Sequence, residues 1–382
     1  MFKHLKHRLY HGLSNEVLLI ILTLITILVS NSPLSTDYWT LVTFPIQIGP
    51  DWMGFSMPFS KWIKNGAMTI FFFLVAMEIK KELLDGHLTG IKKALAPLLG
   101  AMGGMVLPAL IYLMVNWDGH RHGWAIPTAT DIAFALACMS ILGKRIPPAV
   151  KVLLVSIAIV DDLGAIAIVA IGYGSGLVWG WASAGAVLFA LGVAVNRWFT
   201  HPLWYALLVI LSWVAWYKAG ISPTLSGVLI AFCMPYTGHE GQYHRIENHL
   251  SRWSHRFILP LFIMTHAGVA LTGSLWNTVA TRECLGVMMG LFVGKPLGIV
   301  GALIMGKWAG WIHYPSMGWK QLLGLGWLAG IGFTMSLFIT YLAFHSPDLI
   351  ARAQLGVLMG SCMAAILGSF LLWHGARNVP TG

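Results

Sequence analysis

Residues 153–171 read LLVSIAIVDDLGAIAIVAI. The stretch is long and apolar enough to cross a bilayer as a helix, because a span needs about 20 mostly apolar residues. It nevertheless carries two adjacent carboxylates, Asp161 and Asp162, near its middle. A charged side chain at the bilayer centre costs about 2.5–3.5 kcal/mol on insertion scales, and such residues usually mark an ion pathway or a site. The stretch therefore predicts a membrane protein and also indicates the position of its functional site.

Two more charged residues lie in comparably apolar surroundings. Asp131 follows the sequence HGWAIPTAT, and Lys295 lies within LFVGKPLGIV. Together with Asp161 and Asp162 they form the first set of candidate functional residues.

The composition is that of a polytopic membrane protein. Of 382 residues, 57% are hydrophobic and 10% are charged, whereas soluble domains carry about 25% charged residues. The mean hydropathy is +0.74. The net charge of +10 does not indicate nucleic-acid binding, because the basic residues are spread over short loops. The four cysteines show no C-x-x-C spacing, so we expect neither a zinc site nor a disulfide framework. The apolar run near 17–29 is interpreted as a first membrane helix rather than a signal peptide.

We predict an all-α membrane protein with twelve transmembrane helices. The apolar segments are centred near residues 23, 73, 105, 134, 162, 187, 211, 229, 263, 297, 333 and 364. An even number of spans places both termini on one side. With the termini inside, 17 of the 24 Lys and Arg residues fall in inside loops, six fall outside and Lys295 lies in the membrane. This excess follows the positive-inside rule and predicts cytoplasmic termini.

Residues 43–58 are too polar and too broken to span a membrane. Apolar residues alternate on both sides of the sequence GPDWMG, which predicts a small extracytoplasmic β-hairpin. Its prolines favour edge strands. Because such an edge can pair with a second subunit, we predict a homodimer through this segment, with a plain loop as the alternative.

Two of the segments are predicted to be interrupted helices. Pro127 removes a backbone donor shortly before Asp131 and disfavours a helical residue before it, while Gly330 and Gly332 interrupt LGWLAGIGFTMSLFI. Paired interruptions at membrane depth are typical of a transporter site. Each helix N-terminus carries about half a positive charge and each C-terminus about half a negative charge. We therefore expect Asp131 to compensate the positive ends and Lys295 the negative ones.

The interruptions also indicate an internal repeat. Thr130 and Thr334 lie 204 positions apart within similar sequences, TDIAF and TMSLF. We predict inverted three-helix repeats at residues 94–173 and 284–375, formed by helices 3–5 and 10–12, within a single transporter domain over residues 1–382. Two unrelated glycine-rich helices are the alternative.

The aspartate pair has the chemistry of a cation and proton site. Neighbouring helix residues point about 100° apart, so one of Asp161 and Asp162 can face a cavity while the other meets Lys295. A hard cation takes oxygen ligands, which carboxylates, threonine hydroxyls and unwound carbonyls supply. Competition of such a cation and H+ for one site would couple the two fluxes. An ion pair that merely joins helices is the alternative, and for Asp131 a structural and a ligand role are both open.

Two other classes of protein fit part of this pattern. An intramembrane aspartyl protease also uses two membrane aspartates, here Asp131 with Asp161 or Asp162, but its G-x-G-D and Y-D motifs do not occur in the chain. A sodium-coupled symporter also needs a cation site within the membrane, but it need not move protons.

Six sequence motifs resemble those of the NhaA-type sodium/proton antiporters, over nearly the whole chain. In chain order they are FFFLVAMEIKKEL, ATDIAFAL, AIVDDLGAI, the RIE…ILPLF run, GKPLGI and GIGFTMSLFI. The resemblance implies crossed, interrupted helices and a dimer in a bacterial inner membrane. It also implies electrogenic export of Na+ or Li+ in exchange for protons, activated at alkaline pH, with no enzymatic activity and no cofactor.

The resemblance assigns roles to individual residues. Asp161 and Asp162 match the cation- and proton-binding pair, at which Na+ is expected. Asp131 matches the acid at the helix crossing, with Thr130 beside it, and Lys295 matches the lysine that pairs with Asp161. The residues matched to the pH response are Glu78, Lys81, Glu82 and Glu247.

Several positions depart from the family pattern. Asn65 replaces a usual acid, Lys81 replaces an arginine, and His266 replaces an asparagine. Usual histidines are replaced by Ser222, Asn248 and Ser251. Other histidines nearby are His239, His244, His249 and His255, for which a solvated loop and a pH sensor titrating near neutrality are both open. These departures bear on the pH profile more than on the exchange itself.

Overall fold

The computed structural model describes residues 15–49, 55–86, 90–143, 146–172, 176–196, 201–236, 241–270, 275–312 and 317–375. The described residues are nearly all helical. The chain divides into two compact units. The first comprises Met1–Ile21, Asp85–Ala165 and Val269–Gly382, and the second comprises Leu22–Leu84 and Ile166–Gly268.

The α-helices are labelled in chain order. They are α1 Asn15–Ser30, α2 Ser35–Thr43, α3 Phe59–Trp62, α4 Met68–Asp85, α5 Ile91–Val115, α6 Ile132–Leu142, α7 Pro148–Gly172, α8 Trp179–Val195, α9 Pro202–Ala219, α10 Leu225–Cys233, α11 Gln242–Trp253, α12 Leu259–His266, α13 Leu275–Val279, α14 Arg282–Met289, α15 Lys295–Trp308, α16 Trp319–Ala329, α17 Phe333–Ala343 and α18 Pro347–Gly375. A 3-10 helix spans Arg121–Thr128, and π-helical turns span Ile63–Ala67, Ser254–Ile258 and Gly290–Gly294.

Several of these helices can cross a membrane. Among the described residues, six are long and apolar enough, or up to eight if two bent pairs each form one span. The bent pairs are α1 with α2, at 110°, and α16 with α17, at 42°. The prediction of twelve spans also counted shorter segments, such as α10 and α12, with nine and eight residues. Such helices reach across a bilayer only in part, since each residue adds about 1.5 Å.

Both predicted interruptions occur in the first unit. Pro127 lies in the 3-10 helix, and extended backbone at Ala129 separates this helix from α6. Between α16 and α17 the helix stops at Ala329 and resumes at Phe333. The proline and the glycines thus end helices where the sequence predicts.

Close glycine contacts pack the helices of the first unit. A Cβ atom added at Gly103 on α5 would overlap the Gly298 carbonyl oxygen on α15, and one at Gly298 would overlap the Gly103 carbonyl oxygen. Between α16 and α18, a Cβ atom at Gly324 or Gly368 would lie 3.1 Å from the other residue's carbonyl oxygen. Small residues let membrane helices approach closely, and the contact between Gly103 and Gly298 fixes the position of α15, which begins at Lys295.

Two short strands in the second unit pair antiparallel. They are β1, Pro45–Gln47, and β2, Ser56–Pro58, with Ile46 opposite Met57. Met57 is buried, and Trp62 Nε1 donates to the Ile46 carbonyl at 2.9 Å. Residues 50–54 lie outside the described residues, so the strands are observed and the turn between them remains a prediction.

Helix α11 is a feature that the hydropathy pattern missed. The region 239–255 was considered as a solvated loop, but residues 242–253 form a helix with Tyr243 and Glu247 buried. The helix is too polar for a membrane segment, and its four-residue spacing of buried side chains defines one packed face. His239 lies outside the described residues.

Candidate cation and proton site

Asp161, Lys295 and Thr130 form one buried cluster in the first unit. Lys295 Nζ forms an ion pair with Asp161 Oδ2 and donates to Thr130 Oγ1 at 2.7 Å. Thr130 Oγ1 lies 2.6 Å from Asp161 Oδ2 and 2.9 Å from the Ala329 carbonyl oxygen. Because a hydroxyl carries one proton, Thr130 donates to one of these two acceptors at a time while it accepts from Lys295. The cluster joins α7, α15, the first interruption and the end of α16.

The ion pair of this cluster is fully buried. The side chains of Lys295 and Asp161 are both 0% exposed. Two buried charges are tolerated when each neutralises the other, and removal of one leaves the other uncompensated at a cost of about 3–5 kcal/mol. The two side chains therefore depend on each other for stability.

Asp161 keeps one oxygen outside this pair. Its Oδ1 is buried and has no hydrogen-bond partner among the described residues. Asp162 follows on the same helix, about 100° further round, and is 6% exposed. An uncommitted carboxylate oxygen beside a second carboxylate suits a hard cation or a proton.

A cation here needs more than carboxylates. Within the described ranges, no group of three or more His, Cys, Asp or Glu side chains is arranged to hold a metal ion. Hydroxyl and carbonyl oxygens, such as those of Thr130 and the unwound backbone, would have to complete a Na+ shell around Asp161 and Asp162.

Asp131 connects the N-termini of two helices. Its Oδ1 accepts from Phe134 N at 3.1 Å, at the start of α6. Its Oδ2 accepts from Thr334 N at 3.0 Å and from Thr334 Oγ1, at the start of α17. The Asp131 N–H donates to the Ile331 carbonyl at 2.6 Å, so the two interruptions contact each other. The carboxylate lies where it compensates both partial positive charges, while Lys295 reaches the end of α16 through Thr130.

A π-helical turn precedes Lys295. Gly290 and Gly294 lie at its two ends, and a Cβ atom at Gly290 would lie 2.6 Å from Pro127 Cβ, while one at Gly294 would lie 2.8 Å from Pro108 Cα. Short π-helical turns occur frequently at functional sites. The sequence shows the glycines but carries no signal for the wider turn.

Two serines near the second interruption were not singled out by the sequence. Ser361 Oγ, on α18, accepts from Gly332 N at 3.3 Å and from Phe333 N at 3.2 Å. Ser336 Oγ donates to the Ile126 carbonyl at 2.7 Å. A serine within an apolar helix has no distinctive pattern, so these partners are visible only in the folded chain.

The residues matched to a pH response lie together in the second unit, on α4 and α11. Lys81 Nζ lies 2.9 Å from Glu247 Oε1 and 3.2 Å from Oε2. His244 Nδ1 lies 3.1 Å from Glu247 Oε2. Glu78 is within electrostatic range of Glu247, Lys81 and Glu82. One buried carboxylate is thus shared by a lysine and a histidine, beside two further acids.

The side chains of Tyr243 and Lys80 also form hydrogen bonds in this region, although the sequence analysis did not single them out. The Tyr243 hydroxyl donates to the Met77 carbonyl at 2.7 Å. Burial raises the pKa of Tyr243, which keeps the phenol a donor. Lys80 Nζ donates to the carbonyls of Phe232, at 2.7 Å, and Met234, at 2.6 Å, at the end of α10.

Three of the positions that depart from the family pattern are filled by buried polar residues. Asn65 is 5% exposed and lies in a π-helical turn of the second unit. Ser222 Oγ lies 2.7 Å from Thr224 Oγ1. His266 is 1% exposed and stacks on Phe262, with 4.4 Å between ring centroids. None of these three side chains supplies a carboxylate.

Comparison with known proteins identifies the family. A family model described as Na+/H+ antiporter 1 matches residues 7–372. The chain is 40% identical to Na(+)/H(+) antiporter NhaA 2 of Shewanella denitrificans, over 97% of this chain and 96% of that protein. It is 37% identical to Na(+)/H(+) antiporter NhaA of Actinobacillus pleuropneumoniae serotype 3, over 97% of each.

A solved structure has a similar fold. The sodium proton antiporter MjNhaP1 from Methanocaldococcus jannaschii gives a TM-score of 0.58 at 16% identity, over 95% of this chain and 92% of that chain. Since the family model spans nearly the whole sequence and the relatives align end to end, the chain belongs to the Na+/H+ antiporter 1 family.

Proposed function

We infer that this protein is a sodium/proton antiporter that exchanges Na+ or Li+ for protons at Asp161 and Asp162. Its family consists of transporters rather than enzymes, which removes the intramembrane protease alternative, and its named relatives are antiporters rather than symporters. The observation that carries the assignment of the site is the uncommitted Oδ1 of the buried Asp161, whose other oxygen is held by Lys295.

The mechanism is competition for carboxylate oxygens. A carboxylate at this site takes a proton or contributes to a Na+ shell, and each ligand displaces the other. Asp161 and Asp162 are two titratable groups at one cation site, so more than one proton can leave for each Na+ that binds. Such an exchange moves net charge and is electrogenic. No covalent step and no cofactor is needed.

Lys295 and Asp131 balance the charges of this site. Lys295 compensates Asp161 while that carboxylate is ionised, and it can give up its own proton when Asp161 gains one. Asp131 holds the N-termini of α6 and α17 together through Phe134 and Thr334. This contact favours the structural role of Asp131 over the ligand role, since both of its oxygens are already engaged.

The cytoplasmic mouth sets the pH response. The charged cluster there consists of Glu78, Lys81, Glu82 and Glu247. The Glu247 carboxylate supports this role, because Lys81 and His244 share it and proton uptake by a neighbouring group changes its electrostatic interactions. His244, whose Nδ1 lies 3.1 Å from Glu247 Oε2, is a second basic partner of this carboxylate. The family usually has one acid and three histidines at positions that are occupied here by Asn65, Ser222, Asn248 and Ser251. These differences give the pH response of this protein its own midpoint.

The architecture proposed for this function has twelve membrane helices and two inverted repeats, at residues 94–173 and 284–375. The contact between the two interruptions supports the repeats, since each would contribute one interrupted helix. The protein lies in a bacterial inner membrane with both termini in the cytoplasm, which the loop charges support. A homodimer forms through residues 43–58, where β1 and β2 present a short edge.

The direct test uses everted membrane vesicles with a respiration-generated proton gradient. Added Na+ or Li+ should collapse the gradient of vesicles that contain the protein, over about pH 6.5–8.5 to cover histidine titration. Vesicles with Asp162→Asn should keep the gradient. Collapse that needs Na+ and depends on Asp162 supports antiport at the aspartate pair.

Three other outcomes would contradict the proposed function or the proposed site. If the wild-type protein leaves the gradient intact with both cations at every pH, it does not exchange Na+ or Li+ for protons. If Na+ uptake, followed separately with a Na+ tracer, occurs without proton movement, the protein is not a sodium/proton antiporter. If Asp162→Asn exchanges normally, the site lies elsewhere.

A further inference from the structure

Helix α17 starts without a cap of its own. Its N-cap residue is Gly332, which offers no side-chain acceptor. A larger residue does not fit there, because a Cβ atom would overlap Ser336 Oγ and lie 3.0 Å from the Ala129 carbonyl oxygen. The first N–H groups of any α-helix lack partners within the helix. In a buried helix such as this one, those groups must be satisfied by other parts of the chain.

Two other helices supply the acceptors, and they divide the N–H groups between them. Ser361 Oγ takes those of Gly332 and Phe333, and Asp131 Oδ2 takes that of Thr334. Because Ser361 satisfies the first two donors, one oxygen of Asp131 is enough for α17. The other oxygen is then free to cap α6.

We propose that Ser361 is a positioning residue of the transport site. It holds the start of α17, and with it the turn Gly330–Gly332, in the place where the Asp131 carboxylate can bridge two helix N-termini. The same turn follows the Ala329 carbonyl that competes with Asp161 for the Thr130 proton. The role of Ser361 rests on the proposed exchange at Asp161 and Asp162.

Loss of the hydroxyl has a specific consequence. In Ser361→Ala, the N–H groups of Gly332 and Phe333 are left buried without an acceptor. The carboxylate of Asp131 is the acceptor one residue further along α17, so it is drawn towards these donors and away from α6. The turn then moves relative to Thr130, and the cation site changes while the aspartate pair itself stays intact.

The test compares Ser361→Ala with Ser361→Thr and Ser369→Ala in purified protein reconstituted into liposomes. Ser361→Thr keeps the oxygen, and Ser369→Ala makes the same change on the same helix, beside Cys138. For Ser361→Ala we expect the KM for Na+ to rise about fivefold or more, as for loss of a buried hydrogen bond, with a maximal rate within about twofold of wild type. Ser361→Thr and Ser369→Ala should keep the wild-type KM.

A second readout does not depend on transport. Na+ should raise the melting temperature of the detergent-solubilised wild-type protein, since a ligand that binds the folded state stabilises it. The Na+ concentration that gives half of this rise should be about fivefold higher in Ser361→Ala. In combination with Asp131→Asn, the effect of Ser361→Ala should shrink, because both act through one carboxylate.

The proposal is overturned if Ser361→Ala has the KM and the Na+ stabilisation of Ser369→Ala, or if Ser361→Thr loses as much as Ser361→Ala. Should Ser361→Ala not be recovered as folded protein, Ser361→Cys decides: its weakly accepting sulfur should give a higher KM than Ser361→Thr, and equal values contradict the proposal. A wild-type protein that neither exchanges nor is stabilised by Na+ would instead refute the proposed function.

Discussion

The Asp161–Lys295 pair and the Glu247–Lys81 pair join the same two chemical groups in different surroundings. The first pair is 0% exposed on both sides, and one carboxylate oxygen has no partner among the described residues. In the second pair, Lys81 is 26% exposed, and both oxygens of Glu247 are engaged, by Lys81 and by His244.

Under the proposed function, this difference distinguishes a cation-binding carboxylate from a pH-sensing one. A fully buried carboxylate that has one oxygen without a partner is stabilised when it binds a cation or a proton. The Glu247 carboxylate is shared by a partly exposed lysine and a histidine, so it has no oxygen to offer to a cation. Its electrostatic interactions change when a neighbouring group gains or loses a proton. If this comparison is right, substitutions at the two pairs should have different kinds of effect on exchange, which four predictions test.

The largest effect is expected at the buried pair. Asp161→Asn removes the ionised carboxylate, so Na+-evoked proton movement in everted vesicles should fall to the level of vesicles without the protein at every pH. Asp118→Asn is the matched control, because Asp118 is exposed in the same unit, and it should exchange like wild type. Residual exchange by Asp161→Asn with an unchanged KM would show that this carboxylate does not bind the cation.

The second prediction concerns the stability of the same pair. Lys295→Gln leaves the buried Asp161 charge without its partner and should lower the free energy of unfolding by about 3–5 kcal/mol. The double variant Lys295→Gln with Asp161→Asn removes both charges and should melt above the single variant. Melting temperatures in detergent provide the measurement. A double variant that melts below Lys295→Gln would mean that the two charges do not compensate each other.

At the Lys81–Glu247 pair we expect a displaced pH profile rather than a loss of rate. Glu247→Gln removes a negative charge, which makes neighbouring groups easier to deprotonate, so the activation curve should move to lower pH. Lys81→Met removes a positive charge and should move it to higher pH. The maximal rate should stay within about twofold in both, since neither residue binds the transported ion. Shifts in the same direction for both variants would refute an electrostatic origin.

The smallest effect on exchange is expected at Lys80, next to Lys81 on α4. Its contacts are the carbonyls of Phe232 and Met234. Lys80→Met should therefore lower the free energy of unfolding by about 1–2 kcal/mol and leave the midpoint of the pH curve in place. A displacement as large as that of Lys81→Met would show that any charge on α4, and not the Glu247 contact, sets the response.

The sequence was informative where a local rule decides the structure. Charged residues in apolar segments pointed to Asp131, Asp161 and Lys295, because charge in a bilayer is costly. Pro127 predicts the first interruption, and in the structure the 3-10 helix ends at Thr128, one residue after this proline. One local signal was not used in the sequence analysis: an Asp directly before an apolar helical run is an N-cap signal, and Asp131 is the N-cap residue of α6.

The rest depends on contacts between distant parts of the chain. Ser361 Oγ accepts from the Phe333 N–H of α17, which lies 28 positions earlier in the sequence. Lys80 Nζ donates to carbonyls that lie more than 150 positions later. Nothing local distinguishes these residues from other serines and lysines. The π-helical turn before Lys295 follows from the packing of glycines against Pro108 and Pro127. Span counting is limited in the same way, since α10 and α12 are shorter than a bilayer is thick.

The central claim is that Na+ and H+ compete for one carboxylate site, and proton release on Na+ binding tests it most directly. Purified protein in weakly buffered detergent solution is titrated with NaCl at about pH 7–8.5, with choline chloride as the control for ionic strength and Asp162→Asn as the variant. The account predicts that Na+ acidifies the wild-type solution, that choline does not, and that Asp162→Asn gives no release. Saturable Na+ binding without proton release at any pH would contradict competition and with it the proposed mechanism.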